Sequence, residues 1–431
     1  MKALRWLWPG LKIKRWFCLI LLAALFLAAG VSTMLNVRIM QGFANLSLLV
    51  HTYTGRLLTP RIWGAVIAGV GLVMLIFGLR QLVRSITEVL SPQDHGRLVE
   101  ALYRKRLLPE GPVVVAMGGG TGLSTLLRGL KQVSSNLTAV VTVSDDGGSS
   151  GRLRRELGML PPGDIRNCLV ALADVEPLMT QLFQYRFGSK GANGLEGHSF
   201  GNLLIAAMTS ITGDFEVAIK ETSKVLAIRG RVLPSTLQDV VLRARLQDGQ
   251  ELEGETSISA AKDRKIVRLS LVPAKPTPLP ETLEAIQGAD VVVVGPGSLY
   301  TSVIPNLLVD GMAQALTETQ AVVLYVCNVM TQAGETDGMT CSDHLAAIID
   351  HVGCNPFDYC VMNDRQPRSD VLEAYRREGA VMVRPDSAAV ERLGSKAITA
   401  DLLSRTNLAR HDHNRLAATL LNVLSAHHAH G

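Results

Sequence analysis

Several things are scarce in this sequence, and each scarcity narrows what the chain can do. Of its 431 residues only 5% are aromatic and 19% charged, below the ordinary quarter for charge, so the average conceals an unusually apolar region. Its six cysteines, Cys18, Cys168, Cys327, Cys341, Cys354 and Cys360, form no CxxC pair and no Cys/His metal spacing. That pattern excludes a disulfide framework and points to buried thiols in a reducing compartment. No Gly-Lys-Ser/Thr closes any glycine-rich turn, which excludes a Walker A loop. Ser149, Ser150 and His198 fall in separate loops, so a hydrolytic triad is not expected. There is no internal repeat, and the one biased stretch is the tail with His427, His428 and His430, expected to fray rather than bind metal.

The apolar excess sits at the N-terminus. From Trp16 to Val37 no residue is charged, enough at 1.5 Å per residue to cross a hydrocarbon core of about 30 Å. A second uncharged stretch runs from Ile62 to Leu79, with Gly64, Gly69, Gly71 and Gly78 spaced for close helix approach. Lys2, Arg5, Lys12, Lys14 and Arg15 precede the first stretch, as they would in a signal peptide, but the apolar run is longer than a signal core and a second follows it. Basic residues on both flanks, with Arg38, Arg56 and Arg61 between the spans and Arg80, Arg84, Arg97, Arg104, Lys105 and Arg106 after them, lead us to expect a two-pass cell-membrane protein with its N-terminus and main domain in the cytoplasm. These flanks largely account for the net charge of +5, so nucleic acid is not expected as a partner.

The expected organisation is an anchor over residues 1–90 with spans at about 16–37 and 62–79, a polar linker over 91–110, and one domain over 111–431. In that domain short apolar runs alternate with helical stretches: Val113 to Met117, Ala139 to Val143, Asp290 to Val294, Ala321 to Cys327 and Tyr359 to Met362. Strands apolar throughout, rather than at every second residue, predict a Rossmann-like α/β fold, a mostly parallel sheet with helices on both faces. Asp248-Gly249, between two β-prone runs inside Leu237 to Leu271, predicts a small antiparallel hairpin insertion.

The chemistry is expected in the loops. Gly118, Gly119, Gly120, Thr121 and Gly122 join a strand to a helix, where backbone N–H groups and the helix N-terminus favour a phosphate. A second strand ends in Ser144, Asp145, Asp146, Gly147, Gly148 and Ser149, whose adjacent carboxylates suit a divalent cation such as Mg2+, a ribose or a sugar hydroxyl. In PPGDIRN, Asp164 is expected to cap a helix, leaving Arg166 and Asn167 for a ligand. His198 and Asn202 flank another glycine-polar helix start, and Gly295, Gly297 and Ser298 open a third strand-glycine-helix junction.

Together GGGTGLSTLLRGLK, SDDGGSSGRLR, PPGDIRNCL, GHSFGNLL, VLAIRGRVLPST, VGPGSLYTSVIPNLL and CNVMTQAGETDGMT resemble the gluconeogenesis-factor (YvcK-like) family of the CofD-like superfamily, from Pro112 to the tail. The resemblance implies a domain that binds a nucleotide-sugar of the UDP-N-acetylglucosamine (UDP-GlcNAc) type and acts in cell shape and wall synthesis during gluconeogenic growth. It further implies that Tyr375 and Arg410 help hold that ligand, with cell-wall synthesis proteins as partners, no required cofactor, and homodimerisation left open. A transferase of the 2-phospho-lactate type, passing a phospho-ester moiety from a nucleotide diphosphate carrier with Mg2+, is the alternative. A dinucleotide-dependent oxidoreductase rests on Gly118-x-Gly120 alone, without the acidic residue such a site needs about 20 residues on.

Overall fold

The computed structural model describes residues 13–35, 60–90, 107–174, 177–188, 194–261, 264–406 and 408–430. Two compact units emerge, Met1–Lys105 and Arg106–Gly431. The linker residues 91–106 lie outside the described residues, as do Lys2, Arg5, Lys12, Arg38, Arg56, Arg97, Arg104, Lys105 and Arg106.

In the first unit helices α1 (Ile13–Leu35) and α2 (Pro60–Leu90) pack side by side. Segments Arg15–Met34 and Arg61–Ser85 are long and apolar enough to cross a membrane. Glycines set their approach. A Cβ built on Gly64 would lie 2.7 Å from the Gly30 carbonyl oxygen, one on Gly71 2.8 Å from the Leu27 nitrogen, and one on Gly78 2.9 Å from Ile20. Contacts that move back along α1 as α2 advances define an antiparallel pair. Gly69 differs from expectation, since nothing lies within 4 Å of its Cβ position and it takes no part in that seam.

The second unit is built on a seven-stranded parallel sheet, ordered β10-β9-β8-β7-β1-β2-β3. Its strands are β1 (Val114–Gly118), β2 (Leu137–Val141), β3 (Arg231–Pro234), β7 (Val291–Val294), β8 (Val322–Val326), β9 (Tyr359–Asn363) and β10 (Lys396–Ala400). Alternate residues of one strand feed two cores: Val114 and Ala116 of β1 join one, Val115 and Met117 the other, and β7 and β8 divide likewise. Burial on both faces is why these strands read as unbroken apolar runs. The sequence reading missed β3 and β10 at the edges, where Pro234 needs no ladder donor and β10 is only partly buried. Helix α3 (Gly120–Leu130) lays Leu123, Leu126, Leu127 and Leu130 on the first core at helical spacing.

The expected hairpin is one edge of a larger unit. Strands β4 (Val241–Leu246) and β5 (Glu251–Glu253) turn at Asp248-Gly249, and β6 (Ile266–Val272) pairs with the other side of β4. The result is a three-stranded antiparallel sheet, ordered β5-β4-β6. The tail also departs from expectation: it is helical over His413–His430, and the Tyr359 hydroxyl lies 3.2 Å from His427 Nδ1.

Candidate functional site

Strand order reverses between β1 and β7, because β2 and β3 continue on one side of β1 while β7, β8, β9 and β10 lie on the other. In an open parallel sheet the carboxyl edge at that point is a crevice, since consecutive helices leave it on opposite faces. Here the crevice is a cavity of about 460 Å³, within the range of small-molecule sites.

Its floor is glycine held against backbone. Gly120 takes a positive φ of 61° and Gly295 one of 83°, conformations open to glycine at little cost. A side chain on Gly122 would collide with the Pro296 carbonyl, so the β1 and β7 loops touch through main chain. Two asparagines that sequence reasoning missed pin them. Asn328 accepts from Gly297 N–H at 3.1 Å and donates to the Gly297 carbonyl at 2.6 Å; Asn306 donates to the carbonyls of Gly118 and Ser302 at 3.0 and 2.8 Å. Ser298 accepts from Thr301 N–H at 3.3 Å as a helix cap and donates to Glu335 at 2.5 Å.

Of the expected residues, Gly119, Gly120, Thr121, Gly122, Asp145, Asp164, Gly297, Ser298, Tyr375 and Arg410 line the cavity. Gly118, the last residue of β1, and Gly295, which follows the end of β7, do not line it. Asp164 does not cap its helix α5 (Gly163–Leu172), whose N-cap is Pro162. Its carboxylate instead accepts from Gly120 N–H, and a Cβ on Gly119 would come within 2.6 Å of its Oδ2. Burial, with Asp145 adding to it and the Gly120 bond and Arg166 opposing, raises its pKa to about 6. Thus the first glycine loop already holds an anion of its own.

Asp145 and Asp146 part company. Asp145 faces the cavity and accepts from Gly147 N–H at 2.9 Å. Asp146 turns to helix α7 (Glu255–Ala260) of the antiparallel unit, accepting from Thr256 N–H at 2.8 Å and the Thr256 hydroxyl at 2.6 Å. The two carboxylates therefore do not fit a cation held between them. Among the described residues no group of three or more His, Cys, Asp or Glu has metal-binding geometry.

Ser149, Arg166, Asn167, His198 and Asn202 form a separate polar cluster behind the cavity wall. Although far apart in sequence, Ser149 Oγ lies 3.0 Å from His198 Nδ1 and accepts from Asn202 Nδ2 at 3.0 Å. Arg166 donates to Ser199 Oγ and, at 2.8 Å, to Asn167. This cluster ties together the N-termini of α4 (Gly148–Leu157), α5 and α6 (Phe200–Thr212). Its residues position the loops and do not line the cavity.

The antiparallel unit supplies what the sequence reading left out. Glu255 and Ser259 of α7 line the cavity, as do Glu335 and His411. Ser259 donates to Glu335 at 3.2 Å, so Glu335 bridges α7 and the β7 loop. Burial, reinforced by Asp145, Asp164 and Glu335, lifts Glu255 to about 9, leaving it a neutral acid at pH 7. Glu335 is raised by burial against the pull of Ser298 and Ser259. The cavity thus offers main-chain donors at its centre, carboxyl groups on the β2 side and an arginine beyond β8.

Comparison with known proteins agrees with this architecture. The family profile described as 2-phospho-L-lactate transferase CofD matches residues 114–403. The gluconeogenesis factor of Bacillus subtilis strain 168 is 48% identical over 314 residues, 73% of this chain and 98% of that protein. The chain belongs to the gluconeogenesis-factor family. A relative from Nostoc sp., provisionally given the same name, is 48% identical over 435 residues, covering 98% of this chain and 93% of its own. That match extends across the N-terminal region. A crystal structure from Bacillus halodurans superposes with a TM-score of 0.70 at 51% identity, covering 72% of this chain and 99% of that one. The family's α/β domain therefore also occurs without the N-terminal helix pair.

Proposed function

We propose that this gluconeogenesis-factor family member is a membrane-tethered regulator that binds a nucleotide-sugar of the UDP-GlcNAc type, and whose bound state governs cell shape and wall synthesis during gluconeogenic growth. The observation that supports it most is the cavity at the switch point, where the Gly119–Gly122 and Gly297–Ser298 loops meet Tyr375 and Arg410. Loop N–H groups suit phosphates, Arg410 supplies a cation, and the carboxyl groups of Asp145 and Glu255 suit sugar hydroxyls. The two apolar helices support a two-pass anchor, and the basic residues on its flanks favour the cytoplasmic side for the domain; wall-synthesis proteins, or a second copy of this chain, would receive the signal.

A transferase reading draws on the family profile's name. It needs Mg2+ beside the phosphates, whereas the regulator needs no cofactor. Calorimetric titration with UDP-GlcNAc and with GDP, each with and without Mg2+, separates the two. Saturable binding of the intact UDP-sugar supports the regulator. Binding of GDP alone, dependent on Mg2+, overturns it in favour of transfer.

A further inference from the structure

A second cavity, of about 470 Å³, opens where the chain leaves the carboxyl ends of β9 and β10. Arg365 and Arg368 come to it from the loop after β9, Ser404 and Arg405 from the loop after β10, Val371 from helix α8 (Ser369–Arg377) and Arg415 from helix α9 (His413–His430). Buried Asn363, the last residue of β9, fastens the two loops together. Its Oδ1 accepts from Arg365 N–H at 3.4 Å and from Leu402 N–H at 3.2 Å, and its Nδ2 donates to the Arg365 carbonyl at 2.7 Å. The floor is apolar, with Pro367, Val371, Leu403 and Ala409 all buried. Around it stand four arginines against one lining carboxylate, Asp401. Arg415 is committed to Asp401 at 2.5 Å and Arg368 to Asp370 at 2.7 Å. Arg365 and Arg405 have no ion pair among the described residues, and they belong one to each loop.

The two cavities stand back to back. Val371, Leu403 and Ala409 pack in one small cluster with Val329 and Met330, which line the first cavity, and Ala409 lines both. Between them the chain from Leu402 to Asp412 doubles back, so that one arm, with Ser404 and Arg405, lines the second cavity and the other, with Arg410, lines the first. Main chain joins the arms: Ser404 N–H donates to the Arg410 carbonyl at 2.8 Å and Asp412 N–H to the Leu402 carbonyl at 2.7 Å, with a bridge between Leu403 and His411. A guanidinium presents a planar fork that matches a phosphate or a carboxylate, and a cavity of this volume suits a small molecule. We infer that the second cavity is an effector site for a small phosphate ester carrying a second anionic group, one anion on Arg365 and the other on Arg405. Such a ligand bridges the two loops and steadies the arm that carries Arg410, so its binding tightens the binding of the nucleotide-sugar. That coupling rests on the nucleotide-sugar reading of the first cavity, whereas the effector site itself does not.

The test is calorimetric titration of the full chain in detergent micelles at pH 7.5 with 3-phosphoglycerate and with glycerol 3-phosphate, which differ in having a carboxylate or a neutral hydroxymethyl group at the end away from the phosphate. Phosphoglycerate should bind at least ~10-fold more tightly, the difference that one charge-assisted contact makes. Arg365→Gln and Arg405→Gln, both at exposed positions outside the first cavity, should each weaken it ~10-fold or more. Saturating phosphoglycerate should tighten UDP-GlcNAc by about 5-fold or more, and the doubly substituted protein should lose that effect while binding UDP-GlcNAc as before. No binding of either probe at millimolar concentration overturns the inference, and so does binding that ignores both substitutions. Phosphoglycerate that competes with UDP-GlcNAc instead of tightening it belongs in the first cavity, which also overturns the effector site. An unmoved UDP-GlcNAc affinity beside arginine-dependent binding overturns the coupling alone. If UDP-GlcNAc does not bind at all, the nucleotide-sugar reading falls and the coupling with it, while arginine-dependent binding of phosphoglycerate still supports the second site.

Discussion

Asp146 accepts two hydrogen bonds from Thr256, one from its backbone N–H at 2.8 Å and one from its hydroxyl at 2.6 Å, while Asp145 beside it turns into the cavity. Two adjacent carboxylates thus serve different ends, one latching the antiparallel unit and one facing ligand. Asp146→Ala removes both bonds and should cost about 1–2 kcal/mol, as the loss of a helix cap does. Backbone amides over residues 241–272 should exchange faster in this variant. Asp145→Asn should leave exchange there unaltered and change ligand affinity instead. Equal exchange in Asp146→Ala and the unaltered protein would show that the latch holds nothing.

The carboxyl groups of the cavity should give stability an alkaline slope. Glu255 is raised from 4.5 to about 9 and Asp164 from 3.8 to about 6, in both cases chiefly by burial. The folded state therefore binds more protons than the unfolded one between those limits, and stability falls as pH rises through the window. Glu255→Gln keeps the shape and removes the titration. Thermal melting from pH 5 to 9 should show the unaltered protein losing on the order of 1–3 kcal/mol more than the variant. Parallel curves would mean that Glu255 carries its charge at little cost.

Much of the domain was legible in the sequence because its central strands are buried on both faces, so β1, β2, β7, β8 and β9 announce themselves as apolar runs. The glycine loops were legible for a related reason: a residue without a side chain marks close approach of backbone. Glu255, Glu335 and His411 were not. Each sits in an ordinary polar stretch, and only the folding of the antiparallel unit and of the last loop onto the sheet edge brings them to the cavity. Nor could the sequence separate Asp145 from Asp146, because their opposite directions depend on where Thr256 lies.

His351 joins the antiparallel unit to the parallel one. Its Nδ1–H donates to the Ala347 carbonyl at 2.6 Å, which leaves Nε2 to accept from Leu269 N–H of β6 at 2.9 Å. Burial, the largest cause, lowers its pKa below 6.5. The unfolded chain takes up this proton first, so the contribution is complete above about pH 6.5 and lost as pH falls below it. His351→Phe leaves a buried N–H without a partner and should cost about 1–3 kcal/mol at pH 7.5. The difference in melting temperature between variant and unaltered protein should shrink towards pH 5. A difference constant with pH would count against the histidine as acceptor.

The helix pair offers a matched comparison of two glycines. Gly71 lies where a Cβ would be 2.8 Å from the Leu27 nitrogen, whereas nothing lies within 4 Å of the Cβ position of Gly69. In a bilayer such a seam would depend on this closeness, because lipid tails are as apolar as leucine and only packing distinguishes a helix neighbour from them. Gly71→Leu should force α1 and α2 apart, and Gly69→Leu should be tolerated. With cysteines placed at the exposed positions Leu21 and Val73 as spin-label sites, the distance distribution in detergent micelles should lengthen and broaden for Gly71→Leu. It should stay as in the parent for Gly69→Leu, since that side chain meets no protein atom. A distribution equally unmoved by both substitutions would mean that the seam does not hold the pair together, and that the glycines answer to some other neighbour.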